Sequence, residues 1–177
     1  MRQAIFLAII TIAITGCAHF EQLPSAWGPA ISSPTDSCPN VDGTYADKGE
    51  ISNGSWSPSL IRWIFPTPYS EMTADRVLIK RTGDILQIRT LGNHKNDEFL
   101  LSRQRGEFRC SDGLLQLPFS ETFQHEHISA VGSGTLELSR TKHFLVVNRS
   151  HQDASLLFIV VPIITFGNNY GRFALVE

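Results

Sequence analysis

The stretch Glu107-Phe108-Arg109-Cys110-Ser111-Asp112-Gly113-Leu114-Leu115-Gln116-Leu117-Pro118-Phe119 decides how this chain is read. Asp112-Gly113 accepts the positive φ angles of a tight two-residue turn, and candidate strands at 107–110 and 114–119 flank it. This is the pattern of a β-hairpin, and it repeats in both directions. Upstream, strands at 76–81 and 85–91 are joined by Thr82-Gly83-Asp84, and 99–105 alternates Phe99 and Leu101 with polar neighbours. Downstream, Leu136 and Leu138 match Phe144 and Val146 across the bend Arg140-Thr141-Lys142. Residues 156–166 form a near-continuous apolar run broken by Pro162. Such a run is too apolar for a strand with one wet face, so it is predicted to be buried on both, with Pro162 at a bulge or edge. Residues 41–46, with Gly43 permitting close backbone approach, and 173–176 are the first and last strands of this set. The fold class that follows is mainly β: an antiparallel meander, closing as a small barrel or folding over as a sandwich.

One short helix interrupts the strands. Ser57-Pro58 has the form of a helix start, a capping hydroxyl followed by proline at the first helical position. Leu60, Ile61, Trp63, Ile64 and Phe65 then share one broad side, Ser59 and Arg62 face outward, and Pro66 ends the helix. Two turns of helix do not persist alone in water, so this one is expected to dock as a cover on an apolar face of the β domain.

The N-terminus has a different character. Arg2 precedes an apolar run from Ala4 to Thr15, the layout of a secretory signal and too short for a spanning helix. Its end, Ile14-Thr15-Gly16-Cys17, resembles the lipobox of bacterial lipoproteins, in which small residues fit a protease cleft and the cysteine thiol accepts lipid. The resemblance implies a signal peptide over 1–16, cleavage between Gly16 and Cys17, and acylation, palmitate included, on Cys17. Several acyl chains make such an anchor effectively permanent, where one alone binds only marginally. Ala18 in place of an aspartate implies sorting to the outer membrane, with the domain facing the periplasm. Residues 17–37, with Pro24, Gly28, Pro29 and Pro34, read as a flexible tether, and 38–177 as a single β-rich domain. Trp27 in the tether is placed either in the headgroup layer or against the domain.

The opening of that domain, Cys38-Pro39-Asn40-Val41-Asp42-Gly43-Thr44-Tyr45, resembles small proteobacterial lipoproteins beginning C-P-x-[LV]-x-G-x-Y, a group that brings no activity with it. The likeness extends to Phe108-x-Cys110-x-Asp112-Gly113 and the late apolar run. Lipocalins are a second comparison, resting on Gly43-Thr44-Tyr45 with Arg172 packed beneath it. Here Tyr stands where lipocalins carry Trp, and their T-D-Y motif is absent. Export into an oxidising compartment, with Cys17 acylated, leaves Cys38 and Cys110, an even number with one intramolecular pairing. A disulfide between them is expected, against the competing reading of two buried free thiols.

Few residues offer chemistry. His125-Glu126-His127 places two imidazoles two apart, a spacing that on a strand aims both at one metal, but no third ligand is identified and an exposed polar strand explains them equally. Ser133 in Gly132-Ser133-Gly134 lacks the G-x-S-x-G form of a nucleophile elbow, so the glycines read as a bulge or turn. Arg103, Arg105 and Arg109 form a small basic cluster that Glu98, Glu107 and Asp112 offset. Trp56, Trp63 and Phe65 read as core or as a partner or ligand surface. With 15 basic and 17 acidic residues the chain lacks the basic surface of a nucleic-acid binder. The expectation is an outer-membrane-anchored, non-enzymatic lipoprotein whose β domain binds or scaffolds an envelope protein or lipid, with no cofactor and no nucleic acid. The alternatives are a lipocalin-like carrier of a small apolar ligand and a metal-dependent hydrolase using His125 and His127.

Overall fold

The structure is a computed structural model that describes residues 18–20, 22–29, 37–66, 72–92, 96–125, 128–157 and 161–177. Its strands are β1 Ala18–Phe20, β2 Gly43–Ala46, β3 Glu50–Ile51, β4 Arg76–Thr82, β5 Ile85–Leu91, β6 Glu98–Ser102, β7 Arg109–Ser111, β8 Leu114–His125, β9 Ile128–Arg140, β10 Phe144–Leu157 and β11 Val161–Ala174. Helix α1 spans Leu60–Ile64, and a 3-10 turn spans Ser25–Trp27. The fold is mainly β with one short helix, as the alternation predicts.

Two sheets share the strands. The smaller has four, in the order β2-β4-β5-β6. The larger has seven, in the order β1-β11-β10-β9-β8-β7 with β3 also on β11, and it curls as a half-barrel rather than closing. Turn chemistry sets the registers. Asp112 and Gly113 have φ of 55° and 73°, the two positive values a tight hairpin requires, and Ser111 pairs with Leu114 across them. Gly83, at φ 59°, turns β4 into β5, where Thr82 pairs with Ile85.

The core lies between the sheets. Alternation in β4 and β5 sends Val77, Ile79, Leu86 and Ile88 inward, where they meet Leu115, Leu117, Leu136, Leu138, Leu145, Val147 and Phe173 of the larger sheet. Tyr45 is wholly buried in this core, and its hydroxyl donates to the Val41 carbonyl at 2.8 Å. Burial pushes its pKa up to about 12; the nearby Arg140 opposes the rise and Asp42 adds to it. A folded-state pKa above the unfolded value of about 10 means the neutral phenol's contribution is complete below pH ~10 and is lost as pH climbs toward ~12. We therefore expect ultraviolet difference titration of the native chain to show a late-ionising tyrosine that Tyr45→Phe removes. Its persistence in Tyr45→Phe would assign it elsewhere.

The opposite face of the larger sheet is held by polar side chains in sequence. Arg109 Nε donates to Gln116 Oε1 at 2.7 Å, Gln116 Nε2 to Glu137 Oε1 at 3.1 Å, and Asn148 Nδ2 to Glu137 Oε2 at 3.0 Å. This track crosses β7, β8, β9 and β10 and opposes a one-residue slip, which would turn its members into the core.

Three expectations are corrected. Residues 156–166 are not one buried strand: β10 ends at Leu157, β11 begins at Val161, and the two pair as a hairpin with Leu156 opposite Pro162. Ile164 and Phe166 are exposed there. Second, Ser59 does not face outward. It is the buried N-cap, accepting from Arg62 N at 3.4 Å and donating to Asp47 Oδ1 at 3.0 Å. Asp47, itself buried, also accepts from Ile61 N at 2.9 Å, while its carbonyl accepts from Leu60 N. Ser57 instead donates to the Gly49 carbonyl at 2.6 Å. A carboxylate from a distant turn makes the later serine the better cap. Third, the tether is docked in part. β1 pairs in parallel with Phe166–Asn168, and the Arg172 guanidinium lies 5.2 Å from the centre of the Trp27 ring.

Candidate functional site

Strands β8 to β11, of 12, 13, 14 and 14 residues, are far longer than the others and carry the larger sheet past the residues that pack the core. The register sorts the side chains of this extension onto two faces. On the face continuous with the core, Phe119, Gly134, His151 and Gly167 form one row, and Glu121, Gly132, Asp153 and Thr165 the next. Arg149, one row nearer the core, passes over the Phe119 ring at 4.7 Å and donates to Glu121 Oε1 at 2.7 Å. His151 Nε2 lies 3.8 Å from Asp153 Oδ2. The result is a charged surface whose members are paired with one another, Arg149 with Glu121 across the strands and His151 with Asp153 along β10, rather than aimed at one reacting point.

The two glycines of Gly132-Ser133-Gly134 have a different reason from the bulge or turn expected of them. Both lie inside β9, where pairing to β8 and β10 continues without interruption. A Cβ on Gly134 would run into the Ser150 carbonyl and come within 2.8 Å of the Phe119 ring. One on Gly132 would approach Asp153 Oδ1 to 2.5 Å and Glu121 Cγ to 3.1 Å. The glycines are the floor on which Phe119 and the acidic pair rest. Ser133 is exposed on the other face, within an uninterrupted strand rather than at a strand-to-helix turn.

That other face is different in kind. Thr122, Val131, Ala154 and Ile164 form one row across it, and Ser120, Ser133, Gln152 and Phe166 the next. Val131 is 56% exposed, Ile164 43% and Phe166 40%. A shallow depression of about 540 Å³ opens here beside Phe166, Ser133, Thr135, Ser150 and Gln152. A second, of about 360 Å³, lies between the end of α1 and β8, lined by Phe65, Leu101 and Phe119 among others. Both are open to solvent.

The residues singled out from the sequence are dispersed. Gly16, Cys17 and His127 lie outside the described residues. His125 closes β8 and pairs with Ile128, the first residue of β9. Among the described residues no three His, Cys, Asp or Glu side chains gather as a metal site requires. Trp63 is buried, edge-on to Phe173 at 5.9 Å, while Trp56 is 53% exposed and edge-on to Trp63 at 6.2 Å. Phe65 is half-buried with its ring centre 4.3 Å from that of Phe99. Of this group only Trp56 presents a large surface. The arginine cluster also separates. Arg105 bonds Glu107 at 2.8 Å and the Leu100 carbonyl, holding the Glu107 carboxyl below its ordinary pKa, and Arg109 turns to Gln116. Arg172 does not lie beneath Tyr45. It bonds Glu50 at 2.6 Å and stacks over Phe144 at 4.7 Å, while Arg140 takes the place near Tyr45 and donates to the Asp42 carbonyl.

Cys38 and Cys110 are joined as a disulfide, with Cα atoms 5.0 Å apart across a separation of 72 residues. It ties the chain just before β2, in the smaller sheet, to β7, in the larger. Arg149, Glu121 and Asp153 were not apparent in the sequence. The signal for them is the i, i+2 spacing of Arg149, His151 and Asp153, which has meaning only once 144–157 is known to be one continuous strand. No family model matches the chain, and neither a curated protein nor a solved structure matches it.

Proposed function

We propose that this chain is a lipid-anchored, non-enzymatic lipoprotein of the outer membrane whose β domain faces the periplasm as a binding or scaffold module. The extension of β8 to β11 past the core is the observation that carries the binding role. Past the core formed by the described residues, each ordered residue of these four strands costs about 1–2 kcal/mol of backbone entropy, which a contact surface would offset. A sheet extension with paired charges on one face and an exposed apolar row on the other is a platform for contact. The signal-like N-terminus and Ile14-Thr15-Gly16-Cys17 support the anchor, and the disulfide agrees with an oxidising compartment. A carrier of apolar ligands needs an enclosed cavity, whereas the two depressions described are open; a hydrolase on His125 and His127 needs a third ligand.

The anchor is tested by Cys17→Ser. Metabolic labelling with palmitate should be lost, and unprocessed precursor should collect in the inner membrane. A variant that is still cleaved at the Gly16–Cys17 bond position and fractionates with the outer membrane would refute the anchor.

A further inference from the structure

The parallel pairing of β1 gives the molecule a direction. Ala18, one peptide bond from Cys17, pairs with Phe166, and Phe20 with Asn168. The chain therefore enters β1 from the side of β11 that leads back through Ile164 to the end of the β10–β11 hairpin. That end has a singular composition. Residues 156–164 carry only aliphatic and aromatic side chains and one proline, with no charge and no side-chain hydrogen-bonding group. Beside it, on the face away from the core, Val131, Ala154 and Ile164 form an exposed apolar row across three strands, and Phe166 follows in the next. The opposite face at the same level carries Glu121 and Asp153.

We propose that the exposed row Val131, Ala154 and Ile164, with Phe166 beside it, rests in the lipid surface of the leaflet that holds the acyl chains of Cys17, so that the domain is seated on the membrane in one orientation instead of swinging from a tether. The proposal rests on the anchor reading above. An acylated cysteine beside Ala18 holds this row at the membrane, and burial there removes from water the exposed side chains of Val131, Ile164 and Phe166. From Phe166 to Val161 the strand reaches about 17 Å at ~3.4 Å per residue, comparable to one leaflet of the ~30 Å hydrocarbon core. Insertion nevertheless stops in the headgroup and acyl boundary. Among the described residues no strand pairs the β11 edge between Val161 and Thr165, and open sheet edges are not tolerated in hydrocarbon.

The test places a polarity-sensitive fluorophore at Ile164→Cys in the full chain, acylated in cells and reconstituted in vesicles of phosphatidylethanolamine and phosphatidylglycerol. Val131→Cys supplies a second position in the same row, in case one variant folds poorly. Leu100→Cys, 55% exposed on the other sheet, is the reference. With Cys38 bridged to Cys110 and Cys17 acylated, the introduced thiol is the reactive one. The probes at 164 and 131 should brighten several-fold, shift to the blue and be quenched by lipids bearing a shallow acyl-chain quencher, with the probe at 100 unchanged. Water-like emission at both positions, from a chain that floats with the vesicles, overturns the contact of this row and leaves the anchor standing. If the chain carries no acyl group, the same probes in Cys17→Ser mixed with the same vesicles decide between the two ideas. Lipid quenching at 164 upholds the contact of this row and ends the anchor reading, and water-like emission ends both.

Discussion

Replacing Trp63 with alanine is expected to destabilise the folded domain by about 3–5 kcal/mol, the range for truncating a large buried aromatic side chain. The ring is 3% exposed, edge-on to Phe173 at 5.9 Å, and sits where a Cβ on Gly171 would come within 2.8 Å of it. The cavity left by so large a ring adds to the lost transfer energy. Arg62→Ala, one residue away on the wet side of α1, should change stability by no more than roughly half a kcal/mol. Ser59→Ala falls between them, at about 1–2 kcal/mol, because it removes a cap and one of the hydrogen bonds that keep the buried Asp47 carboxylate satisfied. Urea unfolding followed by tryptophan fluorescence and circular dichroism measures all three. Equal and small losses from Trp63→Ala and Arg62→Ala would mean that α1 is not packed on the β domain.

Breaking the Cys38–Cys110 bridge should cost a similar amount by a different route. The two residues are 72 apart in sequence, and closing a loop of that length removes unfolded-state entropy worth about 4 kcal/mol in the chain-entropy model. The bridge joins one sheet to the other, so its loss acts on the packing between them as well as on the unfolded chain. Cys110→Ala alone leaves Cys38 as a free thiol beside the core, and the double replacement Cys38→Ala with Cys110→Ala avoids that complication. Both should unfold at markedly lower urea concentration than the bridged chain, and reductant should lower the midpoint of the bridged chain but not that of the double variant. Labelling of denatured, unreduced protein should find neither thiol free. Two reactive thiols from Cys38 and Cys110 in freshly isolated protein would refute the bridge.

Much of the fold follows from short-range chemistry, and the sequence by itself determined that part. Asp112-Gly113 specifies a hairpin because few residue pairs accept two positive φ angles, and the observed 55° and 73° are those values. Alternation at Val77, Ile79, Leu86 and Ile88 assigns the inward face of the smaller sheet, because successive strand side chains point to opposite sides. Compartment and parity paired Cys38 with Cys110 without reference to geometry. Tertiary structure decided what depends on a partner distant in the chain. Ser59 became the helix cap because Asp47, twelve residues earlier, brings it a buried carboxylate. Gly132 and Gly134 are required by Asp153, Glu121 and Phe119 on the neighbouring strands, not by a turn of their own. Arg172 turned to Glu50 and Phe144 because β3 docks on β11, leaving the place near Tyr45 to Arg140. The apolar run at 156–166 shows the limit most clearly. Hydrophobicity reports that a segment avoids water, but one long strand and two strands paired as a hairpin require the same residues, and only the pairing of Leu156 with Pro162 distinguishes them.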